Sequence, residues 1–488
     1  MNGGDATQRT RQAFQPEHRS PAGDGERAEA DTTLPRRLTS RQLSMITLGG
    51  AIGTGLFLGT SRAISQAGPA VIISYAIGAL LALALAYALA EMASAHPLPG
   101  GFGTLAHAYL GSTAAFTQRW MYWMAQTINV GSEVTAISIY LRFWWPHVPA
   151  WLPVLTVSAF VLGVNLLAVG AFGEVEYWLS VGKVLAILTF IVTGTIVITV
   201  GLPTVPATGL HRWTDQGGFA PQGIGGIWTA MIAVTFSYMG TEAIALTAAE
   251  SRDPARDIPR AARRTVVRLG LFYLLTIAVI LSVDSWRHTA AGPSVTDSPF
   301  VRLFQTVGLP AAASVMNLVL LVAAVSAMNT NIYVTTRTMH GMANSGHAPR
   351  ALARLRHGRP WNALAVSAFG LALAATMSAF APVRAFEILV GISLFNALAT
   401  WILIFATHIA FRRRGGGVVG TPTRLRGGVA IPLAAIGVLL AVLVTMGFVP
   451  PFRLAPLTGV PFLVALLLVH LILHRRRGRM PESQPDRT

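Results

Sequence analysis

Twelve apolar stretches, each of a length that can cross a bilayer as a helix, alternate with short polar segments along the chain. The predicted spans are 44–66, 69–94, 117–142, 150–170, 175–200, 225–248, 265–284, 309–340, 362–380, 386–410, 429–448 and 457–474. The longest, 309–340, has room to tilt or protrude. The pattern predicts an all-α polytopic membrane protein of 12 transmembrane helices. Residues 1–37 lack apolar periodicity and read as a disordered tail with no apolar core of a cleaved signal peptide. Ser40 is placed to cap a short helix leading into the first span. A polar loop from Ser285 to Gln305 has room for a short helix.

Two spans carry residues that work against a continuous helix. The first contains Gly49-Gly50-Ala51-Ile52-Gly53-Thr54-Gly55-Leu56-Phe57. Each glycine weakens a helix by about 0.8–1 kcal/mol relative to alanine. Irregular backbone at membrane depth is tolerated only where it lines a cavity or packs against protein. The sixth span contains Phe236-Ser237-Tyr238-Met239-Gly240-Thr241-Glu242, a glycine with two hydroxyl residues and a carboxylate in mid-membrane. Helices broken at these points aim free N–H groups of one half and free C=O groups of the other into the interior, where they attract an anion and a cation. An amino-acid zwitterion carries both. The breaks head two successive blocks of five spans, the pattern of an inverted-repeat transporter with its site at the repeat interface. Close packing of small residues is the simpler reading of the first stretch taken alone.

Composition agrees with the membrane class: 53% of residues are hydrophobic, 12% are charged and the mean hydropathy is +0.55. The chain has no cysteine, which excludes a structural disulfide, a thiolate metal centre and a disulfide-linked subunit. The net charge of +17 would point to nucleic acid in a soluble protein. Here, with the N-terminal tail inside, 29 basic residues fall in cytoplasmic segments and 7 in outer loops. The bias is topological and places both termini in the cytoplasm, so nucleic acid is not needed as a partner.

At several points the sequence resembles a known family. Gly49 to Phe57 is similar to the first-helix signature of the amino acid–polyamine–organocation (APC) superfamily, and within it to the bacterial amino acid permeases. The resemblance extends to Gly68-Pro69, Glu91-Met92, and Phe172-Gly173-Glu174 with Glu176 and Trp178. It continues through Gly240-Thr241-Glu242 to Glu250, Asp253-Pro254 and Ile258-Pro259-Arg260-Ala261, and then Asn329, Arg337 and Ala348-Pro349. Thr330-Asn331 departs from the small Ser-Gly pair that many members carry after the asparagine.

The resemblance implies a LeuT-like fold of 5+5 inverted repeats with two extra C-terminal helices. Residues 38–411 would form the ten-helix transport core, 412–474 two peripheral transmembrane helices and 475–488 a cytoplasmic tail. It implies import of an amino acid by proton symport across the bacterial cytoplasmic (inner) membrane, with no sodium, no metal and no other cofactor. The substrate carboxylate would meet backbone N–H groups at Gly53, Thr54 and Gly55, and its ammonium carbonyls near Ile52 and at Phe236, Ser237 and Tyr238, next to Met239 and Gly240. Selectivity would come from span three around Gln126 and Val130, from Tyr238 and Met239, and from spans eight and ten. The small residues Ser326 and Ala327 beside Tyr238 and Met239 favour a neutral substrate. A cationic substrate, exchange in place of symport and a non-transporting sensor are the alternatives. The oligomeric state is left open.

A charged side chain in hydrocarbon costs about 2.5–3.5 kcal/mol by insertion scales, so each one calls for an account. Glu242 directly follows the second break and Glu133 lies midway along span three; each can serve a proton or bond a neighbouring helix. Glu91, Glu174 and Glu176 sit near predicted interfaces, where snorkelling or loop contacts suffice. Asp257 is placed to cap the seventh span, with Pro259 in its first turn. Of 37 basic residues only Lys183 is a lysine, and it lies inside span five. Arginine keeps its proton, whereas lysine can exchange one. By the resemblance, Lys183 stands beside the first broken helix where sodium-coupled relatives hold their ion, donating to carbonyls near Gly49 to Ala51 and towards Ser326. The contrary reading is an ammonium locked to a carboxylate for structure. A channel filter, a nucleophile or metal constellation of an enzyme, and a P-loop of an ATP-driven pump have no counterpart in the sequence.

Overall fold

The computed structural model describes residues 52–96, 101–165, 169–203, 205–242, 254–290, 298–306, 308, 310–356, 358–381, 384–415 and 424–477. The tail 1–37, Ser40, the segment Gly49 to Ala51, Arg252-Asp253 and residues 478–488 lie outside them.

The described residues are almost wholly helical. They contain no named strand, only isolated bridges between Leu202 and Val205 and between Arg356 and Arg359. The first span consists of a single turn, α1 (Thr54–Phe57), followed by α2 (Gly59–Ala67). At Gly68, φ is +60°, and a Cβ there would stand 2.5 Å from the Pro221 ring. Only glycine suits both demands, and Pro69 then opens the approach to α3 (Val71–Ala95). Next come α4 (Gly101–Leu110), α5 (Ser112–Leu141), α6 (Trp151–Asn165), α7 (Val169–Thr199) and α8 (Gly223–Ser237). The second half holds α9 (Pro254–Val283), α10 (Trp286–Ala290), α11 (Pro299–Thr306) and α12 (Pro310–Asn344). It ends with α13 (Trp361–Ser367), α14 (Phe369–Phe380), α15 (Ala385–Arg413), α16 (Ala430–Met446) and α17 (Leu454–Arg477). Among the described residues, seven helical stretches are long and apolar enough to cross a membrane.

Helix α5 is the axis of the packing. It lies against α12, α14 and α15 and buries polar residues as well as apolar ones, among them Gln126, Asn129, Ser132 and Glu133. That mixture marks a helix surrounded by protein rather than by lipid. Helix α7 has the opposite character on its outer face, where Leu185, Val192 and Ile196 are exposed. Apolar exposure of that kind is what a bilayer accepts. Helices α16 and α17 pack on α15, and α17 exposes Leu467, Leu468, Val469, Leu471 and Leu473 around the buried His470.

Several boundaries differ from those read in the sequence. Residues 101–110 form α4, too short for a span and so not visible as one, and Gly111 at φ +91° turns the chain into α5. Helix α7 begins at Val169, which puts Phe172-Gly173-Glu174 inside it rather than before it. Helix α9 begins at Pro254, so Asp257 lies within the helix instead of capping it. Proline at the first helical position loses only an N–H that has no helical partner there. The loop after α9 holds two short helices, α10 and α11, where one was expected. The ninth span is divided at Ala368 between α13 and α14.

Candidate functional site

Both expected interruptions bear on one place. Ile52 and Gly53 are not helical and α1 starts at Thr54. Helix α8 stops at Ser237, and Tyr238 to Glu242 run in turns with φ +97° at Gly240. The two ends touch: the Ser237 hydroxyl donates to the Gly55 carbonyl at 2.8 Å. A Cβ on Gly55 would lie 2.8 Å from Ser237 Cα and 3.2 Å from the Phe236 carbonyl oxygen. Gly55 is therefore the residue that lets the two half-helices meet. Beyond it, a Cβ on Gly53 would stand 2.6 Å from the Glu133 carboxylate and 3.5 Å from Ala327 of α12.

Freed backbone groups at the α8 end find side-chain partners. The Tyr273 hydroxyl of α9 donates to the Ser237 carbonyl at 2.9 Å, and the Thr241 hydroxyl to the Tyr238 carbonyl at 3.0 Å. The Tyr238 hydroxyl donates to the Tyr75 carbonyl at 3.0 Å, with the rings of Tyr75, Tyr238 and Tyr273 packed on one another. Tyr238 thus faces α3 and α9. Met239 faces α15, its sulfur 3.7 Å from the Ser393 hydroxyl. Phe236 and Ile52 are buried beside the contact.

The carboxylates at the breaks are placed differently from one another. Glu242 is fully buried and accepts from three donors: Gln126 Nε2 at 3.0 Å, the Gly240 N–H at 3.0 Å and Trp401 Nε1 at 3.1 Å. It ties the second break to α5 and α15, and it occupies the Gln126 amide that the sequence set aside for selectivity. Glu133 presents Oε1 to the Thr54 N–H at 3.4 Å, while its Oε2 is buried with no hydrogen-bond partner among the described residues. Lys183 is buried on α7 within Coulombic reach of both Glu133 and Glu176. The carbonyls of Gly49 to Ala51 expected beside it lie outside the described residues.

Two buried carboxylates were misread from the sequence. Glu176 is fully buried and accepts from the Ser326 hydroxyl of α12. Because α7 starts early, the residue lies two turns before Lys183 inside the helix, not at an interface where it could snorkel. Glu91 is also fully buried, accepting from His408 Nε2 at 3.1 Å, Arg412 at 2.6 Å and the Leu425 N–H at 2.9 Å. The spacing His408…Arg412, one helical turn apart on α15, was the available signal. Glu174, by contrast, is exposed and accepts from Trp178 Nε1 at 3.1 Å, as an interfacial residue would.

The sequence pattern of the family described as "Amino acid permease" matches residues 42–478. The chain belongs to this family. The permease is 38% identical over 383 residues to the "uncharacterized amino acid permease YvbW" of Bacillus subtilis, covering 78% of this chain and 85% of that one. It is 37% identical over 381 residues to the "aromatic amino acid transport protein AroP" of Escherichia coli, covering 78% of this chain and 82% of that one. In fold it is similar to the crystal structure of a manganese transporter of Eremococcus coleocola, at a TM-score of 0.58 and 13% identity, over 94% of this chain and 97% of the other. The protein is accordingly a multi-pass membrane transporter of the APC superfamily, and its substrate belongs to the amino acids.

Proposed function

We propose that the permease imports a neutral amino acid by proton symport, and that aromatic amino acids are the class to test first. The observation that carries the reading is the direct meeting of two helix ends at Gly55 and Ser237. In a LeuT-like 5+5 inverted repeat, such ends form one site near the bilayer midplane. The α1 amides at Gly53, Thr54 and Gly55 would take the substrate carboxylate. The ammonium would go to carbonyls at Ile52 and at the α8 terminus from Phe236 to Tyr238, sharing those of Ser237 and Tyr238 with the Tyr273 and Thr241 hydroxyls. The name of the Escherichia coli relative supports the aromatic class. The commitment of Glu242 to Gln126, Gly240 and Trp401 leaves it poorly placed to pair with a cationic side chain.

For coupling, Lys183, Glu133 and Glu242 are the proton-responsive groups, with no sodium ion and no other cofactor. Lys183 stands in for the ion's charge and Glu133 links it to α1. The orientation follows from the arginine distribution, with both termini cytoplasmic in a bacterial inner membrane.

Proteoliposomes with labelled phenylalanine, tryptophan, leucine, serine and arginine, under an imposed pH gradient, test the proposal. The expected result is accumulation of neutral substrates with the inward proton gradient, independent of sodium, and its loss in Lys183→Met. Preferential displacement of label by arginine or lysine would overturn the neutral assignment. Strict dependence on internal counter-substrate would make the protein an exchanger. Gradient-driven uptake persisting in Lys183→Met would remove Lys183 from the coupling site.

A further inference from the structure

Lys183 has two carboxylates around it, and the second one has no role in the reading above. Glu176 lies on α7, seven residues before Lys183 and therefore on nearly the same face. It is fully buried, and α12 contacts it through the Ser326 hydroxyl at Oε1, with Asn329 and Thr330 facing the same carboxylate. Asn329 is itself held by Asn165 of α6, whose amide donates to it at 2.7 Å. The second oxygen, Oε2, is buried and has no hydrogen-bond partner among the described residues. Glu133 repeats the arrangement on the other side, one oxygen toward Thr54 and the other buried without a partner. Among the described residues, the phenols of Tyr140 on α5 and Tyr273 on α9 also feel the charge of Glu133, the Tyr273 hydroxyl itself donating to the Ser237 carbonyl.

We propose that Glu176 is the second carboxylate of a Glu133–Lys183–Glu176 triad that holds the transported proton. With both carboxylates ionised and the ammonium charged, the triad bears one net negative charge among side chains buried away from bulk solvent. One added proton makes it neutral, and a buried neutral cluster is far less costly than a buried net charge. Each carboxylate has one buried oxygen with no hydrogen-bond partner among the described residues, and that oxygen can carry the proton. An O–H bond forms there when the proton enters from the outer side and breaks when it leaves to the cytoplasm; no electron moves. Glu176 and Glu133 are coupled through the charge of Lys183, which both carboxylates feel. A proton on Glu176 leaves Lys183 to pair with Glu133, and a proton on Glu133 releases Lys183 towards Glu176. Because Glu133 faces α1 and Glu176 faces α12, the location of the proton sets which helix the triad grips.

This inference rests on the symport reading, and its test separates the two. Wild type, Glu176→Gln, Glu176→Asp and Ser326→Ala are reconstituted and assayed with whichever of phenylalanine, leucine, serine or arginine the wild type exchanges fastest. Counterflow at equal pH reports binding and the conformational cycle; accumulation driven by a pH gradient, with a trapped pH dye, reports coupling. Glu176→Gln should keep counterflow and lose gradient-driven accumulation by about tenfold or more, the equivalent of one pH unit of proton binding. Glu176→Asp should retain part of the accumulation. Ser326→Ala should move the pH of half-maximal accumulation scored against the variant's own counterflow rate, since Ser326 also borders the expected substrate compartment, and it serves alone if the Glu176 variants do not insert. An unchanged pH profile in Ser326→Ala and in whichever Glu176 variants insert would overturn the proposal. So would a parallel loss of counterflow and accumulation in Glu176→Gln, which marks a structural role. Wild-type counterflow without any proton-driven accumulation would instead sink symport itself.

Discussion

At the scale of single residues, Gly55 decides whether the two broken helices can meet. The Cβ position of Gly55 lies 2.8 Å from Ser237 Cα, closer than carbon atoms approach without something shifting, and the neighbour is backbone. Gly55→Val should therefore push α1 away from α8 and lower substrate affinity by at least about tenfold, or 1.4 kcal/mol. The protein should still insert and remain monodisperse, because the strain is confined to one contact. Isothermal titration or scintillation proximity binding measures this, and undiminished affinity in the variant would show that the α1 end is not the carboxylate site. The first break was legible in the sequence since glycine has a local signature, four in seven residues. Burial of a carboxylate has no such signature. Glu176 and Glu91 each look like end-of-span residues until packing is known, and only the positions of α12 and α15 make them interior.

At the scale of helices, α5 and α14 approach through a pair of glycines. A Cβ on Gly370 would lie 1.8 Å from the Thr127 carbonyl oxygen, and one on Gly131 would lie 2.6 Å from the Gly370 carbonyl. Small residues at a crossing let backbones come close, which is the main source of helix affinity within a membrane. Gly370→Leu should separate the two helices and destabilise the protein by about 1–3 kcal/mol, read as a lower melting temperature in detergent. A melting temperature equal to wild type would mean that the crossing is slack. Element existence was largely readable from hydropathy, since long apolar runs became helices nearly where they were expected. Element boundaries were not. Short helices such as α4, α10 and α11 take their stability from packing against longer neighbours, and isolated turns of that length have too little periodicity to stand out.

On the scale of the whole molecule, Glu91 joins parts of the chain more than 300 residues apart in sequence: α3, α15 and the approach to α16. Arg412 also donates to the Leu425 carbonyl at 2.8 Å, so the linker is bound through both its N–H and its C=O. Arg412→Ala would leave Glu91 buried with His408 and one backbone N–H. Removing one partner of a buried ion pair typically costs 3–5 kcal/mol, and the surviving donors should reduce that to about 1–3 kcal/mol. Thermal unfolding checks the figure, and tryptic cleavage at Arg424 or Arg426, next to the released Leu425, should become faster. No change in either would show that His408 and the Leu425 N–H suffice. Only the His408…Arg412 spacing on α15 hinted at this network in the sequence; that Glu91 and Leu425 are its partners depends on long-range packing.

Lys183 has one more consequence, which concerns reagents. As the only lysine in a chain without cysteine, it is the only side-chain primary amine in the protein. At 1% exposure it is out of reach of an amine-directed label in the structure described, which would modify the α-amino group alone. Any second adduct therefore timestamps a conformation in which water has entered the centre of the molecule. The native protein thus contains its own reporter of opening, readable as a single mass increment without an engineered site.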